Sequence, residues 1–416
     1  MSAPASFPGP RRGALASLLA VLALLGVLAG PLVAPATAQE GAPDIDAEAA
    51  YLVEASTGDP ILARNEDERR AIASTTKLMT ALVTREAGSL GRSLTAAGYD
   101  PAPVESQIGL QAGERLTVRD LLRALLLPSA NDAAATLAEG VAGSTEAFVQ
   151  RMNARADQLG LENTSFANPI GLDDPGNFST ARDLTRLALA ARQDTFLRRT
   201  FAREDATLDS GARTREVDNR NTLVTSTEIV NGIKTGRTQQ AGHVLVGSAT
   251  RDGVTVVASV LGADSEAERD EETLALLEYG LGRYERVTAV RRGQVRAQVP
   301  LAYRKGSTIA VAAGTTARRT LPKGERLTQK MTGLPEEVDG PLERGDRLGT
   351  LVVRHRDRVV AEVPLVTTRA VQEAGVALRM RDLLSRPSTL VLLVALAACS
   401  VPLLLLRRRA MARQRA

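Results

Sequence analysis

The sequence predicts an α+β protein in three parts. The first is a domain built on an antiparallel sheet with a helical insertion, followed by a small all-β domain and a C-terminal transmembrane helix. Three observations carry this reading. Strand-like alternation occurs early, over residues 47–64, and again over 228–261, with helical periodicity between them. That order suits one sheet made from both ends of a domain, with helices beside it. From about residue 286 the texture changes to short Val-rich runs separated by Gly and charged turns, and from Ser388 to Leu406 the chain carries no charge at all.

Taken in order, Ala49–Ala55 and Ile61–Arg64 are short apolar runs around Ser56-Thr57-Gly58-Asp59-Pro60, which reads as a hairpin. Ala71 to about Glu86 has helical spacing, with Leu78, Met79, Leu82 and Val83 on one side. Thr117–Leu127 opens on a capping Thr and stops at Pro128, and Asn131–Ala142 and Glu146–Gly160 read as two further helices. Residues 161–180 are rich in Asn, Gly, Pro and Asp and predict a long loop of the kind that lines a site. A helix follows over Ser179–Ala191. Strands are expected over Glu228–Lys234, His243–Ala249 and Val254–Leu261, and a helix from Ala267 to Tyr284 closes a domain spanning 44–285. The β domain is expected over 286–369, where alternation such as Val352–Val360 suits exposed strands. Residues 370–387 read as a connecting helix into the span at 388–406.

The two ends explain the charge. Arg11 and Arg12, an apolar run from Ala14 to Ala29 and the small-x-small site Ala36-Thr37-Ala38 read as a signal peptide over residues 1–38. The span at 388–406 has the length to cross a bilayer and is followed by Arg407, Arg408, Arg409, Arg413 and Arg415. A basic flank stays inside, so 407–416 is expected as a cytoplasmic tail, with everything between the two segments exported to the extracytoplasmic face of the plasma membrane. The whole chain has 52 basic and 48 acidic side chains, a net of +4. The seven Arg at the ends leave the body with 45 against 48, a net of −3. Nucleic acid is therefore excluded as a partner, and a 3% aromatic content gives no base-stacking surface. One Cys and two His exclude an internal disulfide and a Cys/His zinc site. Cys399 lies within the apolar span and reads as a packing residue.

Lysine is rare: Lys77, Lys234, Lys305, Lys323 and Lys330 are the only five, the other basic residues being Arg. Arg holds its proton in a protein, whereas a buried Lys can release it and act as a base. Ser74-Thr75-Thr76-Lys77 opens the first predicted helix, and a spacing of three places hydroxyl and amine on adjacent turns of one face. The helix N-terminus adds free N–H groups where an oxyanion would form. By itself this tetrad also fits a Ser N-cap. Ser129-Ala130-Asn131 sits on a tight interhelical connection after Pro128, where ordinary turn and cap residues would also occur. Lys234-Thr235-Gly236 lies at the end of a predicted strand, where a cation and a hydroxyl suit a substrate carboxylate and Gly admits a substrate backbone. A solvated edge Lys would look the same.

The three together, in this order and at these separations, match the S-x-x-K, S-x-N and K-T-G set of penicillin-recognising enzymes. The chain resembles the serine D-alanyl-D-alanine carboxypeptidases, or low-molecular-mass penicillin-binding proteins. The likeness extends through Ala73–Ala81, Pro128–Ala134, Phe148–Asp173, Gly232–Ala249 and Gly340–Gly375. The resemblance implies a β-lactamase/transpeptidase-like catalytic domain that needs no cofactor and no metal. It implies that Ser74 attacks the penultimate D-Ala carbonyl of a peptidoglycan stem peptide, with Lys77 as base. Ser129 and Asn131 would relay a proton and position the acyl chain, and Lys234 and Thr235 would bind the terminal carboxylate beside Gly236. The N–H groups of Ser74 and Arg237 would form the oxyanion hole, and β-lactams would acylate Ser74 as slow substrates. Arg237 stands where the family commonly has an aromatic residue or His. The E-x-x-L-N setting of a class A β-lactamase is not matched at Glu162-Asn163-Thr164-Ser165. The same motifs fit a transpeptidase, an endopeptidase or an inactive scaffold on this fold. His243 begins a predicted core strand and has no Ser-His-Asp arrangement around it.

Overall fold

The computed structural model describes residues 41–413, so the expected signal peptide and the last three residues of the tail lie outside the described residues. β1 (Ala49–Glu54), β2 (Pro60–Arg64), β3 (Val230–Thr238), β4 (Gly242–Arg251) and β5 (Val254–Ala263) form one antiparallel sheet in the order β2-β1-β5-β4-β3. The early hairpin and the late meander thus meet, with Ala49 opposite Leu261 and Glu54 opposite Val256. Successive side chains of a strand point to opposite faces. Ala49, Tyr51 and Val53 enter one core, while Ala50 and Leu52 enter a second with Leu276, Leu277 and Leu281. A strand buried on both faces must be apolar at nearly every position, which accounts for the unbroken run at 49–53.

The insertion between β2 and β3 supplies α1 (Lys77–Glu86), α2 (Val118–Leu126), α3 (Asn131–Ala142), α4 (Thr145–Gln158) and α5 (Ala181–Ala191). α6 (Glu266–Arg283) packs on the opposite face of the sheet. Side-chain caps set several starts. Thr117 accepts from the Asp120 N–H, Ser144 from Ala147, Thr180 from Asp183, and Ser265 forms a capping box with Glu268.

Four local expectations are corrected. Residues 73–76 form a 3-10 turn and the α-helix starts only at Lys77; Ala73 itself, at a positive φ, is barred from either helix geometry. The third sheet strand begins at Val230 and runs to Thr238, which puts Lys234–Gly236 inside it rather than at its end. Helices at Thr195–Phe201 and Thr222–Ser226 and a hairpin pairing 205–208 with 215–218 occupy a stretch whose local pattern predicts no element. Arg215 anchors that hairpin by a buried two-pronged ion pair to Glu114, both contacts 2.8 Å, and the pairing holds the Glu114 carboxyl down at about 2. The fourth correction is the connecting helix, which spans Val376–Ser385 rather than starting at 370, because Val371 still pairs with Leu342.

The second sheet joins β6 (Val295–Pro300), β7 (Thr308–Ala313), β8 (Leu327–Thr332), β9 (Arg347–His355) and β10 (Arg358–Thr367) in the order β6-β7-β10-β9-β8. It has its own core, including Ile309, Val311, Leu351, Val353, Val363 and Leu365. α7 (Val376–Ser385) leads to α8 (Pro387–Arg413), which contains Pro402. Within α8, Pro387–Arg408 is long and apolar enough to cross a membrane, with a mean hydropathy of 2.7, and none of it is buried against the other described residues.

Candidate active site

The 3-10 turn that carries Ser74 is a tight junction. Ala73 sits at φ +46, a left-handed conformation that costs a non-glycine residue about 1–3 kcal/mol and persists only where surrounding packing imposes it. Two glycines do so. A Cβ on Gly171 would lie 2.1 Å from the Ala73 carbonyl oxygen, and one on Gly236 would lie 2.9 Å from the Ser74 nitrogen. The 161–180 loop and the edge strand β3 therefore press on the turn from two directions with bare backbone.

Lys77 follows on the first turn of α1 and is fully buried. Its Nζ lies 3.0 Å from Ser74 Oγ, 2.6 Å from Asn131 Oδ1 and 2.7 Å from the Ile170 carbonyl oxygen. Burial pushes its pKa well below the usual lysine value, and the nearby charge of Lys234 pushes it the same way. A neutral amine hydrogen-bonded to a serine hydroxyl is a base in position. Ser129 is buried at a left-handed φ of 66 on the connection before α3, and its Oγ finds no partner among the described residues.

Lys234 is buried in β3, where burial first, and Arg220 and Arg269 next, bring its pKa down to about 7. Its Nζ donates to the Thr235 carbonyl oxygen at 2.9 Å. A cleft of about 390 Å³ brings together Ser74, Ser129, Thr235, Gly236 and Arg237. Lys77 and Asn131 stand behind it through their bonds to Ser74 and to each other. All eight residues singled out in the sequence thus converge on one place. Arg237 is exposed at the rim, directly across the strand pair from His243. His243 lies on the same rim, and its pKa is lowered by burial and by Arg269 and Arg237, so it stays neutral.

Four contributors escape the sequence. The carbonyl of Ile170 binds Lys77, and a backbone acceptor has no residue-type signature, although the composition of 161–180 marks the loop that supplies it. Arg269 lines the cleft with its side chain 3% exposed, paired to Glu266 at 2.9 Å and Asp270 at 2.7 Å. In sequence it reads as an ordinary charged position at a helix start. Arg220 lines the cleft from the segment after the unforeseen hairpin. Glu105 accepts from Asn131 Nδ2 at 2.6 Å and from the Tyr99 hydroxyl, within a segment that has no periodic pattern.

A family profile for D-alanyl-D-alanine carboxypeptidases matches residues 36–265, more than half of the chain. The chain belongs to this family. A second profile, the C-terminal domain of penicillin-binding protein 5, matches residues 284–373. The protein is a serine-type D-alanyl-D-alanine carboxypeptidase with a penicillin-binding fold. Among curated relatives, the D-alanyl-D-alanine carboxypeptidase DacF of Bacillus subtilis is 32% identical, covering 79% of this chain and 87% of its own. Among solved structures, penicillin binding protein 5 from Haemophilus influenzae superposes with a TM-score of 0.58 at 28% identity, over 80% of this carboxypeptidase and all of that chain. The Streptomyces K15 DD-transpeptidase gives a TM-score of 0.55 at 35% identity, over 58% of this chain and 99% of its own. The α+β catalytic fold followed by an all-β domain agrees with these neighbours.

Proposed function

We propose that Ser74 is the nucleophile and Lys77 the base of a hydrolase that removes the terminal D-Ala from D-Ala-D-Ala stem peptides. The observation that carries this is the 3.0 Å contact between Ser74 Oγ and a fully buried Lys77 amine whose other two bonds go to carbonyl oxygens. Ser74 Oγ bonds to the penultimate D-Ala carbonyl carbon as its proton passes to Lys77. That proton reaches the leaving amine of the terminal D-Ala through the Ser129 hydroxyl, which has no partner among the described residues. Water then hydrolyses the ester: Lys77 takes the water proton and returns it to Ser74 Oγ as the acyl–oxygen bond breaks. The N–H groups of Ser74 and Arg237 stabilise the oxyanion, and Asn131 positions Lys77 and the acyl chain. Lys234 and Thr235 bind the terminal carboxylate, and Arg269, held by Glu266 and Asp270, lines the same wall. A β-lactam enters the same path and stalls at the acyl-enzyme.

The test is release of D-Ala from a D-Ala-D-Ala pentapeptide, run with and without an amine acceptor. Hydrolysis as the main product supports the reading. Penicillin binding without release points to a scaffold, and cross-linked product points to transpeptidation.

The two lysines also set an expected pH dependence. Catalysis needs Lys77 neutral and Lys234 charged, so kcat/KM rises as pH climbs through the Lys77 pKa and falls as Lys234 deprotonates. In the free enzyme that alkaline limb is expected near pH 7, the value to which burial brings Lys234. A bound carboxylate favours the ammonium form, so the limb in kcat lies higher. A substrate whose C-terminus is capped as an amide should lose the alkaline limb; its persistence would remove Lys234 from carboxylate recognition.

The remaining placement rests on the apolar helix and its basic flank. The catalytic domain runs from 44 to about 283 and the β domain from Tyr284, whose strand pairs with Ala317–Pro322, to Val371, which pairs with Leu342; α8 crosses the plasma membrane once with Arg407, Arg408, Arg409 and Arg413 on the cytoplasmic side. Ending the chain at Arg386 is expected to move the exported enzyme from the membrane pellet to the soluble fraction with its activity intact. Retention in the pellet would assign anchoring elsewhere.

A further inference from the structure

We infer that Glu105 is a positioning residue for acylation: it fixes which end of the Asn131 amide faces Lys77, and so keeps the Lys77 lone pair directed at Ser74. The inference rests on the reading of Ser74 and Lys77 as nucleophile and base.

Glu105 Oε2 takes bonds from the Tyr99 hydroxyl and Asn131 Nδ2, and Oε1 takes the Ala102 N–H at 3.0 Å. Burial opposes its ionisation, but the donors from Tyr99 and Asn131 outweigh burial, and its pKa lies below the usual carboxylate value. Burial and the contact with Glu105 push the Tyr99 phenol upward, so Tyr99 remains a donor. An ionised carboxylate only accepts. Asn131 must therefore turn Nδ2 toward Glu105, which leaves Oδ1 facing Lys77 Nζ at 2.6 Å.

A neutral amine has two N–H bonds and one lone pair. The carbonyl oxygens of Asn131 and Ile170 accept the two N–H bonds, and the remaining direction is held by Ser74 Oγ at 3.0 Å. With the Asn131 amide turned over, Nδ2 would face Nζ and could be received only by the lone pair. That is the pair needed to accept the Ser74 proton. The anchoring is firm at both ends, since the Asn131 N–H donates to Ser106 O at 2.7 Å and Asp132 accepts from the Ile108 and Leu110 N–H groups.

Glu105 also acts through its charge. Lys234 and Arg220 face Lys77 and disfavour its ammonium form, while Glu105 and Asp132 favour it. Removing the Glu105 charge lowers the Lys77 pKa, so the acid limb of acylation moves to lower pH.

The experiment measures the rate constant for acylation by a labelled penicillin across pH in Glu105→Leu and Glu105→Gln, with Ser74→Ala alongside and a thermal melt of each. Glu105→Leu is expected to lower the plateau about 10- to 100-fold, the scale of a small misplacement of a reacting group. Glu105→Gln keeps a carbonyl oxygen for Asn131 and Tyr99, so it should restore most of the plateau while its acid limb lies at lower pH than in the parent. Should the Leu variant fail to fold, the Gln limb alone decides. An unmoved limb, or a folded Leu variant acylating at the parental rate, overturns the inference. Loss of the adduct in Ser74→Ala together with either result would overturn only the role of Glu105, whereas an adduct surviving in Ser74→Ala would overturn the nucleophile reading beneath it.

Discussion

Ser74→Ala is expected to abolish covalent capture of a labelled penicillin and to cut D-Ala release by a factor on the order of 10⁶, the scale seen when a serine hydrolase loses its nucleophile. The large effect follows from the cleft's construction. Ser74 Oγ is the hydroxyl bonded to the buried Lys77 amine, while the Ser129 hydroxyl has no hydrogen-bond partner among the described residues. The fold should be almost untouched. Ser74 is half-buried, Lys77 keeps its bonds to Asn131 and Ile170, and loss of one neutral hydrogen bond costs about 1 kcal/mol. A gel of the labelled protein and a thermal melt are sufficient. An adduct of normal yield in the variant would transfer the nucleophile to another residue.

Lys77→Arg is expected to lower the acylation rate by about 10³ to 10⁴, because it replaces a neutral amine with a permanent cation. A guanidinium holds its proton, so it cannot accept one from Ser74. Lys77→Met should lose a similar factor through a different defect, since it fills the space without an amine. Met leaves the Asn131 and Ile170 oxygens without their donor, at about 1–3 kcal/mol for each buried group left unpaired. The pair of variants separates proton transfer from electrostatics. If the Arg variant folds and acylates within tenfold of the parent while the Met variant is dead, charge is what the site needs and Lys77 is not the base. Stopped-flow acylation with the same labelled penicillin gives the numbers.

The catalytic signature was legible because its chemistry is written in residue types at fixed separations. A Ser three before a Lys, a Ser two before an Asn, and Lys-Thr-Gly can be seen in a chain that otherwise uses Arg for its positive charge. The two-ended sheet was legible for a similar reason: the runs at 49–53 and 254–261 are apolar at nearly every position, as strands covered on both faces must be. What escaped depends on partners distant in sequence. The hairpin at 205–218 has four-residue strands and is tied down by Arg215 to a carboxylate about a hundred residues earlier. Glu105 sits in Pro-Val-Glu-Ser, where nothing local distinguishes it from a solvated surface acid. The left-handed backbone at Ala73 and Ser129 also leaves no mark, because neither is a glycine or asparagine, the residues that usually signal it.

The pairing of β1 with β5 also sets the order in which the chain can acquire its structure. The partners Ala49 and Leu261 lie 212 positions apart in the chain, so closing that ladder spends a large loop entropy before any of its contacts form. A chain made from its N-terminus holds the first hairpin without a neighbour until the meander is complete. The Ser74 turn suffers the same delay, because Gly236 of β3 and Gly171 of the long loop both press on it. An emerging chain therefore has all the reactive side chains of its first motif well before it has a nucleophile. Activity begins only when the last strand of the meander is in place.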